Sequence, residues 1–157
     1  MSDAAPRSAP AVTVRLAAPG DEARWRELFT AYGVFYETDF TPDVLDGVWA
    51  WIMDDRHPVT CLLAEINGTV VGFAHVRAQP DTFTAADGWF LDDLYTVPEA
   101  RGSGAASALI AEIEHRAAER GGGTLRWITA ADNHRAQALY DRLATRTTWV
   151  TYEKEIS

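Results

Sequence analysis

Two adjacent carboxylates, Asp92 and Asp93, interrupt the apolar run Leu91-Asp-Asp-Leu-Tyr95, and the chain then passes through Arg101-Gly-Ser-Gly-Ala-Ala106 into an apolar-periodic stretch. A carboxylate beside an amine holds the ammonium by charge and then accepts its proton, directly or through water. The need is real, because a lysine-like amine with a pKa near 10.4 costs roughly 4 to 5 kcal/mol to deprotonate at pH 7. In a regular strand Asp92 and Asp93 point to opposite faces, so only one of them shares the acceptor side. The glycine turn offers different chemistry. Amides at a helix start lack intrahelical partners, and the glycines let a pyrophosphate approach them closely.

Other phosphate motifs fit these residues less well. A Walker loop ends in Gly-Lys-Ser or Gly-Lys-Thr, which does not occur here. A dinucleotide fingerprint needs a third glycine where Ser107 stands and an acid ending the next strand, a role Asp132 could fill. That motif also belongs in a first βα unit, whereas this segment follows an antiparallel pair. His57, His75, His115 and His134 lack metal-ligand spacing, so no metal is expected. The single cysteine, Cys61, sits in an apolar run and reads as a buried small hydrophobe.

The elements that must position these groups follow from periodicity. Val12, Val14 and Leu16 alternate as a first strand; Trp25, Leu28, Phe29 and Tyr32 line a first helix; Leu45, Val48, Trp49 and Ile52 line a second, opened by Thr41-Pro42. Strands over 59–66 and 69–78 flank Asn67-Gly68, a strong hairpin signal. A polar loop is expected over 79–88, then a strand over 89–97 and a helix carrying Leu109, Ile110, Ile113 and Ala117, stopped by Gly121-Gly122-Gly123. A strand over 124–130 and a helix with Asp132 or Asn133 as N-cap come next; Ala136, Leu139, Tyr140 and Leu143 form its inward stripe, and a strand over 148–156 closes the chain. Residues 1–11 read as a flexible tail and 12–157 as one domain.

In this setting the sequence resembles the GNAT superfamily of acetyl-CoA-dependent N-acetyltransferases. Arg101 to Ala106 fits the family's pyrophosphate signature, Asn133-His-Arg-Ala-Gln-Ala-Leu-Tyr140 is similar to its later motif, and Trp149 to Glu155 to its closing strand. Within the superfamily the chain looks most like the spermidine/spermine and thialysine acetyltransferases, on the strength of Leu91 to Tyr95 and of Tyr36-Glu37. Asp92 stands one methylene short of that branch's Glu, and Asp-Arg-Leu-Ala-Thr replaces its Gly-aromatic step after Tyr140.

The resemblance implies an α/β fold: a mixed, mostly antiparallel sheet with one parallel pair at the cofactor site and helices on both faces. It implies acetyl-CoA as co-substrate, held by Leu94, Tyr95, Thr96, Val97, Arg101, Gly102, Ser103, Gly104, Ala105, Ala106, Asn133 and Tyr140. It makes Asp92 the base with Asp93 in support, and Tyr140 the acid for the departing thiolate, since a phenol with a pKa near 10 donates without being ionised at pH 7. Glu37 and Asp81 are candidates for a second ammonium or are solvated loop charges. The implied acceptor is a small primary amine such as a polyamine, diamine or thialysine-like compound. A non-catalytic acyl-CoA sensor, and a protein, amino-acid or antibiotic acceptor, stay open, and a homodimer is implied by the diamine branch.

Composition agrees with a folded enzyme of this kind. Of 157 residues 47% are hydrophobic, 11% aromatic and 24% charged, enough for a sizeable core. The 23 acidic against 14 basic residues leave a net charge of -9, which opposes a nucleic-acid backbone as partner. No apolar stretch is long enough to cross a bilayer, and the N-terminus lacks a signal pattern, so no membrane partner and a cytoplasmic location are expected.

Overall fold

The computed structural model describes residues 8–157. Of the expected tail, residues 1–7 lie outside the described residues; residues 8–11 are exposed and carry no regular structure. The chain divides into two units, the first ending at Trp127 and the second running from Ile128 to Ser157.

The first unit is a five-stranded sheet ordered β1 to β5, built from β1 (Val12–Leu16), β2 (Val59–Ile66), β3 (Thr69–Asp81), β4 (Ala86–Thr96) and β5 (Leu125–Arg126). The first three pairings are antiparallel, and β4 with β5 is parallel. Around the sheet lie α1 (Glu22–Phe35), α2 (Pro42–Met53) and α3 (Ala105–Glu119). Local chemistry starts several elements. Thr41 accepts from the Val44 N–H with Pro42 behind it, opening α2. Asn67 and Gly68 both have positive φ, as a two-residue hairpin turn requires, and join β2 to β3.

Alternation divides the sheet into two apolar faces. Cys61, Leu63, Phe73 and His75 are buried on the side met by Trp25, Phe29 and Tyr32 of α1. Leu62, Ala64, Ala74, Val76 and Leu91 are buried on the other side, where α3 crosses β1 to β4 with Leu109, Ile110 and Ile113. Helices therefore cover both faces. Among the described residues no helix is long and apolar enough to cross a membrane.

Three expected elements differ. The loop over 79–88 is mostly strand: Gln79, Pro80 and Asp81 pair with Gly88, Asp87 and Ala86, leaving a turn of residues 82–85. Backbone pairing across the hairpin outweighs the weak strand preference of these polar residues. The strand over 124–130 shortens to Leu125–Arg126, because its partner β4 bends just beyond Phe90. The closing strand over 148–156 does not form, and Trp149, Val150, Tyr152 and Ile156 are exposed. Their alternation is a β pattern, but a strand exists only where a neighbour takes its N–H and C=O groups, and no ladder forms there among the described residues.

In the second unit, α4 (His134–Leu143) starts where the Asn133 side chain accepts from the Ala136 N–H at 3.3 Å, so Asn133 and not Asp132 is the cap. Ala136, Leu139 and Tyr140 of its apolar stripe are partly covered, and Leu143 is exposed.

Candidate active site

The β3/β4 register slips at the carboxylates. His75 pairs with Asp93 and Val76 with Leu91, so Asp92 is the extra residue of a β-bulge on β4. The bulge overturns the expectation of opposite faces. Arg77 and His75 lie two apart on β3 and so share a face, and each binds one of the two carboxylates. Asp92 and Asp93 are thus both presented on the α1 side.

Their surroundings differ. Arg77 Nε donates to both oxygens of Asp92, at 3.2 and 2.9 Å, and Nη1 donates to Gln79 at 3.0 Å. The guanidinium also lies 5.0 Å from the Phe90 ring centroid. Side-chain exposures of 38% for Arg77 and 31% for Asp92 make this a solvent-facing ion pair. Asp93 instead meets a buried imidazole: Oδ2 is 2.8 Å from His75 Nδ1, and His75 Nε2 is 2.9 Å from Trp25 Nε1. Tyr32, Phe73 and Tyr95 form an aromatic wall beside them, with Tyr32 to Tyr95 at 6.4 Å and Phe73 to His75 at 4.7 Å between ring centroids. Asp93 was legible in the sequence; His75 carries no spacing signal, and Trp25 reads there as core or dimer packing.

Beyond the bulge no strand pairs with the far edge of β4 among the described residues. Parallel pairing with β5 covers only Trp89 and Phe90. The Val97 N–H donates to Val71 on the β3 side, so by antiparallel alternation the N–H and C=O groups of Leu94 and Thr96 point to the opposite edge. The Thr96 hydroxyl is buried with no hydrogen-bond partner among the described residues. A polyamide arm laid along this edge would meet donors and acceptors at strand spacing.

The glycine turn continues from that edge. Gly102 and Gly104 have φ of 80° and 90°, and a Cβ at either would meet nothing within 4 Å, so the turn keeps an open surface through a conformation that favours glycine. The first helical bond of α3 runs from the Ala108 N–H to the Gly104 carbonyl, and the Ala105 N–H turns to the Ser103 hydroxyl at 3.4 Å. The amides of Ala106 and Ser107 precede that first bond and remain available to an anion.

Residues 23–144 match the model of the acetyltransferase (GNAT) family. The chain belongs to that family. This acetyltransferase is 31% identical over 145 residues to the D-amino-acid N-acetyltransferase HPA3 of Saccharomyces cerevisiae, covering 91% of this chain and 90% of the relative. Its fold is shared with the ribosomal-protein-alanine N-acetyltransferase of Brucella melitensis biovar Abortus (TM-score 0.78, 23% identity, 93% and 99% of the two chains). The aminoglycoside N-acetyltransferase AAC(6')-Iy, solved in complex with CoA, is equally similar in fold (TM-score 0.79, 20% identity, 97% and 99%). The protein is an N-acetyltransferase whose acetyl donor is acetyl-CoA.

The remaining expected residues of the acetyltransferase fall as follows. Asn133 and Tyr140 lie on α4 of the second unit, Asn133 capping it and Tyr140 on the partly covered stripe. Glu37 follows α1 in a left-handed turn and is exposed. Asp81 accepts from the Phe83 N–H at 2.9 Å at the hairpin tip. Burial pushes the Cys61 thiol well above its ordinary pKa, so it is no nucleophile at neutral pH. No group of three or more His, Cys, Asp or Glu able to hold a metal occurs among the described residues.

Proposed function

We propose that this acetyltransferase acetylates the primary amine of a small polar molecule docked against the β4 bulge. The observation that carries the reading is the bulge itself, which turns two carboxylates and the Arg77 guanidinium to one face. The family resemblance assigns the base to Asp92 with Asp93 supporting. The geometry favours Asp93, because Arg77 engages both oxygens of Asp92 whereas, among the described residues, Asp93 is engaged through Oδ2 alone.

In this reading Asp93 takes a proton from the ammonium and the neutral amine attacks the thioester carbonyl. The Leu94 N–H on the far edge of β4 stabilises the tetrahedral oxyanion. The carbon–sulfur bond then breaks, and Tyr140, in the role the resemblance gives it, protonates the thiolate; the former amine nitrogen releases its second proton to solvent as the amide forms, and solvent returns a proton to Tyr140. Arg101 to Ala106 hold the pyrophosphate through backbone amides, with Leu94 to Val97 along the pantetheine arm.

Two acceptor classes suit the face. A polyamine, diamine or thialysine-like cation would use both carboxylates, with Glu37 and Asp81 as outlying anions. Arg77 supports a second class, a zwitterionic amino acid whose carboxylate pairs with the guanidinium while its ammonium meets Asp93. The likeness to a D-amino-acid acetyltransferase supports this class as well. The resemblance to the diamine branch also implies a homodimer, and a monomeric mass in sedimentation at micromolar concentration would remove it.

The first test is thermal unfolding with acetyl-CoA, then thiol release with spermidine, thialysine, D-alanine and neamine. Acetyl-CoA at 100 times its Kd should raise the Tm by about 5 to 10 °C. Stabilisation without thiol release from any amine would leave a non-catalytic acyl-CoA-binding protein. Turnover that survives Tyr140→Phe unchanged would remove that residue from the reaction.

A further inference from the structure

The Trp25–His75–Asp93 chain runs from the core to the bulge, and its chemistry has a direction. An indole N–H can only donate, so His75 Nε2 at 2.9 Å must accept. A ring nitrogen that accepts carries no hydrogen, which leaves the imidazole hydrogen on Nδ1, 2.8 Å from Asp93 Oδ2. The ring is in no position to turn over. His75 is 2% exposed and packed between Phe29 at 4.9 Å and Phe73 at 4.7 Å, while Trp25 is fully buried against Trp49 at 5.1 Å.

We propose that Trp25 and His75 are positioning residues for acetyl transfer: the indole fixes the His75 tautomer so that Nδ1–H always donates to Asp93 and holds its carboxylate oriented toward the amine. This rests on the reading of Asp93 as the proton acceptor. Neither residue touches the acceptor. The other tautomer would set an Nδ1 lone pair against the carboxylate and leave the indole N–H unpaired in the core, so it is disfavoured twice. Among the described residues only one of Asp93's two oxygens is engaged, and the carboxylate meets the acceptor already aligned. The pairing lies next to the bulge, so the same strand irregularity that brings Asp93 to the acceptor face also brings it onto the imidazole.

The decisive measurement is a long-range proton–nitrogen spectrum of the full chain labelled at histidine, the His75 signal being assigned by its loss in His75→Asn. The expected spectrum at neutral pH shows Nδ1 protonated and Nε2 bare; the reverse pattern, or both nitrogens protonated, overturns the lock. Trp25→Phe keeps an aromatic ring in the core but removes the donor together with the pyrrole half of the indole. It should populate the second tautomer and lower kcat roughly fivefold, the scale of one lost hydrogen bond, with the KM for acetyl-CoA within about twofold. An unchanged tautomer and unchanged kcat would overturn the proposal.

His75→Leu should lower kcat about tenfold or more, while His75→Asn, whose amide nitrogen replaces Nδ1 as donor, should recover most of it. Rates are measured with acetyl-CoA and whichever of spermidine, thialysine, D-alanine or neamine the wild type acetylates fastest, and melting checks that each variant folds. If Asp93→Asn is inactive yet both His75 variants match the wild type, the relay alone is overturned. If Asp93→Asn is fully active, the functional reading of Asp93 falls instead.

Discussion

The two carboxylates of the β4 bulge are chain neighbours in opposite physical situations. Asp92 faces solvent and pairs with Arg77, an interaction of the exposed kind that contributes at most about 1 kcal/mol and weakens with salt. Asp93 ends a hydrogen-bonded chain that reaches a fully buried indole. One position can exchange partners at little cost, and the other is held in one geometry. The contrast suggests a division of labour in which Asp93 works on the reacting nitrogen and the Arg77–Asp92 pair reads the rest of the acceptor.

The sharpest way to break that contrast is to remove each carboxylate in turn. Asp93→Asn should lower kcat by roughly 10²- to 10⁴-fold, the range of a positioned general base. Asp92→Asn should lower it about tenfold or less and act mainly through the acceptor KM. Steady-state thiol release decides, and the reverse ranking would return the base role to Asp92.

The next effect separates the two acceptor classes by sign. Arg77→Gln removes a guanidinium from beside two carboxylates. It should lower the KM for a dication such as spermidine several-fold, and raise the KM for a zwitterion such as D-alanine by roughly tenfold, the worth of one charge-assisted bond. Equal KM values for both acceptors before and after substitution would remove Arg77 from recognition. A smaller effect concerns salt. Because the Arg77–Asp92 pair is exposed, raising ionic strength from 0.05 to 0.5 M should shift KM more in the wild type than in Arg77→Gln, with kcat little changed.

The smallest effect uses a second arginine–carboxylate group as a control with no role in catalysis. Arg15 donates to Asp21 at 2.7 and 2.8 Å and to Glu65 at 3.0 and 2.8 Å, tying β1 to the start of α1 and to β2. The Arg15 hydrogen bonds hold the Asp21 carboxyl below its ordinary pKa. A carboxylate whose folded pKa is depressed contributes stability above its unfolded pKa and loses it as pH falls through the folded one. Asp21→Asn should therefore cost about 1 kcal/mol at pH 7, and the gap to wild type should close as pH falls below about 4, with turnover unaffected. Urea unfolding at a series of pH values measures it.

Much of the frame was legible in residues whose effect is local. Thr41-Pro42 opens a helix and Asn67-Gly68 closes a hairpin because cap and turn geometry are decided within four residues. Gly102 and Gly104 announced the anion turn for the same reason, since positive φ is a property of the residue itself. Residues 148–156 show the converse. Their alternation reads as a strand, but pairing depends on a partner that the segment does not contain, and no ladder forms. The polar 79–88 stretch became strand because its partner lay across a four-residue turn.

What the sequence alone determined is therefore the order of elements as far as α4, the glycine turn ahead of α3, and the presence of an acidic pair within an apolar run. Only the tertiary structure decided which way that pair faces and what it meets. The Asp92 bulge is a register event between two strands, and in a sheet one residue of slip exchanges the faces of all that follow. His75 meets Asp93 across 18 residues and Trp25 across 50, distances at which no spacing rule operates. Local conformation is set by the covalent chain, whereas the partner of a buried donor is set by which surfaces the whole fold presses together.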